Sequence, residues 1–189
     1  QVGGTERHPD GAGAKCHCLS SSSAVRLRCR TTSSAVVPGA SFQRALLCDI
    51  RIASDVSKFG VPAARLGLGY RASGLKILTD LVGPSHAKEI FFTARHFSAQ
   101  EAFGMGLITR MVPDAELDSY VDNYCKLIGE NAPLTMHAAK RTVEELTRLD
   151  GEPDFERLSG LVKQCFDSED YVEGRRAFME KRRPVFKGR

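Results

Sequence analysis

The chain of 189 residues has no apolar run approaching the roughly 18 residues needed to cross a bilayer; charge, Gly or Pro interrupts every hydrophobic stretch. A soluble protein with no membrane partner is expected. No sign of charge dominates either, with 27 Lys and Arg against 23 Asp and Glu, and the small basic excess gathers at the two ends rather than along one stripe. The arginines lack interleaved aromatics, so no nucleic-acid partner is expected. Cys16-His17-Cys18 with Cys29 fits no common zinc-ligand spacing, so no metal is assigned. The six cysteines read as reduced, structural thiols of an intracellular chain. What remains is enough for one domain with a real core.

Acidic residues are also missing between Asp10 and Asp49, and this marks a boundary. Residues 1–43 are rich in Gly, Ser, Arg and Ala, include the run Ser20-Ser21-Ser22-Ser23, and show no helical or strand period. They read as a low-complexity or disordered leader, poorly packed to about residue 36 because few clustered apolar side chains offset the ordering entropy. A targeting segment has the same Arg- and Ser-rich bias, and so does sequence from a foreign reading frame or splice context. The mitochondrial matrix and the cytoplasm both stay open, and the first residue is not Met.

Regular globular sequence begins at residue 44. Ala45 to Cys48 reads as a buried helix end, Asp49 to Ala53 as an alternating strand, and Lys58 to Pro62 as a strand stopped by proline. The glycine-spaced loop Leu66-Gly67-Leu68-Gly69-Tyr70 lets backbone approach a ligand closely. It leads into a helix carrying Leu75, Leu78 and Leu81, and Gly83-Pro84 restarts a second. Ser98-Ala99-Gln100-Glu101 spells a capping box, Leu107 to Val112 a strand, and Asp114 the cap of an amphipathic helix with Leu117, Val121 and Tyr124 on its buried face. Helices over Pro133–Leu149 and Phe155–Phe166 follow. Ser168 caps a last one, with Lys181, Arg182 and Arg183 in its final turn complementing the macrodipole and Pro184 stopping it.

Three of these segments, in this order, resemble the crotonase-type enoyl-CoA hydratase/isomerase family. They are Cys48 to Ala53 with Phe59-Gly60-Val61-Pro62 and Leu66-Gly67; then Thr93 with Ser98 to Ala102 and Gly106-Leu107-Ile108; and finally Ser168, Asp170, Glu173-Gly174, Ala177-Phe178, Glu180-Lys181-Arg182, Pro184 and Phe186. The resemblance covers residues 45–189. It implies an α/β fold: part of a ββα spiral over residues 44–112, then an α-helical region over 113–189 through which subunits assemble as a trimer or dimer of trimers. The spiral's first units have no counterpart in residues 1–43, so the resemblance corresponds to the family's C-terminal part only.

The family acts on acyl-CoA thioesters, with CoA as part of the substrate and no separate cofactor. Its shared device is an oxyanion hole of two backbone N–H groups. One donor has no counterpart here, and an ungapped match puts the other at Ala40. Hydratases of the family move protons with two glutamates, and the match puts Gln43 and Ala63 there, neither able to transfer a proton. The substrate loop falls on Leu66, Gly67, Leu68 and Gly69. Tyr70, beside Arg65 and Arg71, reads as a pocket wall or a weak proton donor. Lys181 corresponds to a lysine that contacts the CoA nucleotide, with a plain helix-terminal charge as the other reading. His86, His96 and His137 read as surface or packing residues. An acyl-CoA-directed family member of doubtful hydratase competence is expected, with a non-catalytic CoA-binding or oligomerising module, or an inactive truncated product, as the alternatives.

Overall fold

The computed structural model describes residues 27–29, 45–148 and 151–189. Ala40, Gln43 and most of the Gly/Ser/Arg-rich leader lie outside them. The chain divides near Asp122 and Asn123 into two compact units, taken separately below.

The first unit is built on a parallel sheet of β1 (Leu27–Cys29), β2 (Ile50–Ser54) and β5 (Arg110–Val112), with β2 in the middle. Strand β1 lies in the segment where the sequence shows no strand period. Three residues are too few to display alternation, and the strand is defined instead by its pairing, Leu27 with Ile50 through Cys29 with Ile52. Nor does β2 alternate as expected. Ile52, Ala53 and Ser54 are all buried, because a central parallel strand is covered on both faces. Ala45 and Leu46 are helical, and Leu46 is buried while Leu47 is exposed.

A two-stranded antiparallel ribbon pairs β3 (Lys58–Phe59) with β4 (Phe97–Ser98). Helix α1 (Ala72–Thr93) is broken by a kink at Gly83, followed by Pro84, as the sequence leads one to expect. Helix α2 (Ala99–Gly104) starts from a complete capping box: Ser98 Oγ accepts from the Glu101 N–H at 3.2 Å, and Glu101 accepts from the Ser98 N–H at 2.8 Å. Together these elements enclose a cluster of Leu78, Val82, Ile90, Phe97, Ala99, Ala102 and Leu107.

Polar ties join elements that are far apart in sequence. The half-buried Arg51 donates to the carbonyls of Leu107 (2.7 Å) and Cys48 (2.6 Å). Burial lowers its pKa, against the opposing pull of Cys48 and Asp49. Arg95 stacks on the Phe97 ring at 3.8 Å and pairs with Glu89 and Glu101, pinning the end of α1 to the start of α2. Gly60 is required where it stands: a Cβ there would meet the Arg95 carbonyl oxygen at 2.9 Å.

The expected cap at Asp114 is absent. Residues Asp114–Glu116 form a 3₁₀ turn with no side-chain cap, and it is the Asp114 N–H that is satisfied, by the Asp55 carboxylate at 3.1 Å. A partner 59 residues away in sequence takes the place of the local one. Helix α3 (Leu117–Gly129) follows, with Leu117 and Val121 buried.

The second unit is helical among its described residues: α4 (Pro133–Leu146), α5 (Phe155–Phe166) and α6 (Glu169–Met179). Ala138, Leu158 and Ala177 are its buried apolar side chains, and polar caps do much of the joining. Asp154 caps α5, Ser168 caps α6, and the nearly buried Glu145 accepts from the Asp154 N–H (3.3 Å) and pairs with Arg148. Helix α6 ends at Met179, before Lys181, Arg182 and Arg183, so these residues do not form its last turn. The backbone reverses at Lys181 (φ 53°). No helix among the described residues is long and apolar enough to cross a membrane.

Candidate functional site

Pro62 sets the start of a 3₁₀ turn, Pro62–Leu66, because its fixed φ suits a first helical position and its missing N–H is not needed there. Gly67 closes the turn in the left-handed region (φ 62°), and the N–H groups of Gly67 and Leu68 both donate to the Ala63 carbonyl. An L-residue at position 67 would be strained by its Cβ. The expected short strand through Pro62 therefore stops at Phe59, and proline begins the next turn.

This turn puts the methyl of Ala63 into the apolar cluster, where the residue is 4% exposed. The loop behind it faces solvent, with Leu66 63% and Leu68 61% exposed and alternating with the exposed Gly67 and Gly69. Arg65 and Arg71 are exposed on either side. Tyr70 is half-buried and packs edge-on against Phe91, with ring centroids 4.9 Å apart. Burial raises its phenol pKa, which makes it a poorer proton donor. Ala63, the loop and Tyr70 thus gather in the first unit.

Lys181 belongs to the second unit and is exposed. The residues around it form a tied tail. The Arg182 guanidinium forks onto Glu173 at 2.6 and 2.9 Å, and Glu173 also accepts from the Val185 N–H at 3.0 Å. These donors, Arg182 first, pull the Glu173 carboxyl down to about 2. Asp170, 3% exposed, accepts from the N–H groups of Lys187 (2.6 Å) and Gly188 (2.7 Å). Sequence reasoning missed this cradle. Glu173 and Arg182 stand nine apart across a helix end, a spacing no helical rule picks out.

The histidines stay peripheral: His86 lies 3.5 Å from Glu89, and His137 accepts from Arg141 at 3.5 Å. Among the described residues no group of three or more His, Cys, Asp or Glu is placed to hold a metal.

The family model described as enoyl-CoA hydratase/isomerase matches residues 34–189. The chain belongs to the enoyl-CoA hydratase/isomerase family. The match begins ahead of residue 44, so the positions of Ala40 and Gln43 fall within family sequence rather than in an unrelated leader. Methylmalonyl-CoA decarboxylase of Escherichia coli K12 is 35% identical over 153 residues, covering 79% of this chain and 58% of the relative. A short-chain-enoyl-CoA hydratase of Clostridioides difficile is 37% identical over 130 residues, 69% of this chain and 84% of the relative. An enoyl-CoA hydratase/carnithine racemase from Magnetospirillum magneticum superposes with a TM-score of 0.76 at 28% identity, covering 86% of this chain and 59% of the other. The chain thus spans somewhat over half the length of the decarboxylase and of this solved structure. The crotonase-like α/β fold, a partial spiral followed by helices, is that of the family.

Proposed function

We propose that this chain is an acyl-CoA-thioester-directed member of its family that does not carry out acid–base hydration. The observation that supports this most is Ala63. At the place where a hydratase glutamate stands, a methyl group is packed in an apolar cluster, and it has no proton to give or take. Gln43, at the second glutamate position, carries an amide that orients water without acting as a base. Tyr70 is turned to packing against Phe91 and does not replace either. On the same reading Leu66, Gly67, Leu68 and Gly69 form the substrate loop, the Ala40 N–H serves as an oxyanion donor, and Lys181 meets the CoA nucleotide.

Assembly into a homo-oligomer, a trimer or dimer of trimers, belongs to this reading. Phe178, 82% exposed, and its exposed neighbour Met179 on α6 are large apolar groups that subunit contact would cover.

A second reading is favoured by the decarboxylase relative. Loss of CO2 from a malonyl-type thioester leaves its electron pair on the α-carbon and the thioester oxygen, and a proton then adds to that carbon. No base is needed to start this reaction, so Ala63 and Gln43 are compatible with it. The charge that develops on the thioester oxygen calls for N–H donors, of which the Ala40 N–H is one on this reading.

The test is turnover of a short enoyl-CoA and of a malonyl-type thioester by the parent chain and by Gln43→Glu with Ala63→Glu. General acid–base help is worth roughly 10² to 10⁴ in rate, and one oxyanion donor roughly 10² to 10³. The parent chain is expected to bind thioester without hydrating it. Hydration by the parent chain would refute the proposal, and turnover of neither substrate together with no thioester binding would leave the oligomerising-module reading in its place.

A further inference from the structure

Lys181 occupies a position that helices usually give to glycine. The chain leaves α6 by a Schellman turn: the Arg182 N–H donates to the Ala177 carbonyl (3.0 Å) and the Lys181 N–H to that of Phe178 (3.3 Å), which forces Lys181 to φ 53°. A Cβ in that region crowds the following carbonyl oxygen. Such strain persists only where the surroundings over-determine it.

The surroundings do so here. Immediately after Lys181, Arg182 is held by Glu173 through two nitrogen–oxygen contacts and by Glu180 through its Nε at 2.6 Å. Further along, Val185 is bound to Glu173, and Lys187 and Gly188 to Asp170, while the Asp170 N–H donates to the Arg189 backbone oxygen at 3.2 Å. The Phe186 ring lies along α6 beside Gly174. Arg182, Val185, Lys187, Gly188 and Arg189 are thus all tied to α6, yet the Lys181 side chain is exposed.

We infer that Glu173 and Arg182 are positioning residues: their fork locks the strained backbone at Lys181 and thereby fixes where its ammonium meets a phosphate of the CoA nucleotide. This rests on the reading of Lys181 as a CoA contact. Arg suits the role because its planar guanidinium grips a carboxylate in one orientation, whereas an ammonium swivels.

The experiment titrates the full chain with CoA and, separately, with pantetheine, which lacks the nucleotide, for the parent, Lys181→Met, Glu173→Gln and Arg182→Lys. Glu173→Gln is the decisive variant. It removes a negative charge, so by charge alone it strengthens binding of an anion, whereas loss of positioning weakens it. Lys181→Met is expected to weaken CoA binding roughly fivefold, the strength of a good exposed ion pair, and Glu173→Gln and Arg182→Lys roughly threefold, with pantetheine binding unchanged in all three. Unchanged or tighter CoA binding by Glu173→Gln overturns the positioning role while leaving Lys181 as a contact. Equal losses for CoA and pantetheine also overturn it, since they mark a general structural role. If Lys181→Met has no effect, the CoA contact itself fails and the positioning role falls with it.

Discussion

Replacing Lys181 by glycine stabilises the protein. An L-residue in the left-handed region costs roughly 1–2 kcal/mol, and Lys181 stands there at φ 53°. Glycine removes that cost but gives back roughly 0.5–1 kcal/mol through the greater freedom of the unfolded chain. A net gain of about 0.5–1 kcal/mol follows, because the exposed Lys181 side chain has little packing to lose. For a chain of this size that is about 1–4 °C in Tm. In a denaturant titration the midpoint rises while the slope m stays the same. Lys181→Ala separates the causes, since it deletes the ammonium but keeps the Cβ, and it brings no such gain. Ala94 is the internal control, being the other non-glycine residue in this region among those described (φ 46°). It is 4% exposed, so Ala94→Gly removes a buried methyl worth about 0.8 kcal/mol and leaves a small void, which cancels the backbone relief. A fall in midpoint for Lys181→Gly, or equal gains at positions 94 and 181, would refute the reasoning.

Three further outcomes are expected. Leu78→Ala, at a site 1% exposed inside the first unit's core, costs about 2–5 kcal/mol in equilibrium unfolding. Ser98→Ala removes the hydroxyl half of the α2 capping box and costs about 1 kcal/mol, with Ser98→Asp retaining most of the stability. The Glu173 carboxyl titrates at about 2 in the folded chain, below its ordinary value of 4.5, so its contribution is complete above that ordinary value and is lost as pH falls from there towards 2. Glu173→Gln therefore flattens the acid limb of a stability-against-pH curve in that window and leaves the neutral-to-basic limb unchanged.

The parts of this fold that are legible in the sequence are those whose causes are local. Phe155–Phe166 follows from its apolar rhythm, the break in α1 from Gly83-Pro84, and the start of α2 from Ser98 and Glu101, which satisfy each other's backbone within one turn. What the sequence misplaces is decided by distant partners. Asp114 looks like a cap, but Asp55 supplies the carboxylate. Arg182 and Arg183 look like a helix's last cationic turn, but the backbone has already reversed and Arg182 is committed to Glu173. Strand β1 exists through its pairing with β2, which three residues of sequence do not announce. The candidate site divides in the same way. The glycine-spaced loop over residues 66–69 is legible in the sequence, while the 3₁₀ turn that begins at Pro62 and buries Ala63, and the cradle around Lys181, depend on contacts with the core and with a tail that returns along α6.

The most direct test of the central claim is a single titration of the full chain with a short-chain enoyl-CoA, following bound thioester and the enoyl double bond in the same sample. Saturable binding with the double bond intact over many residence times is the predicted result. Steady loss of the double bond with formation of the hydroxyacyl product, or no binding at all, would contradict it.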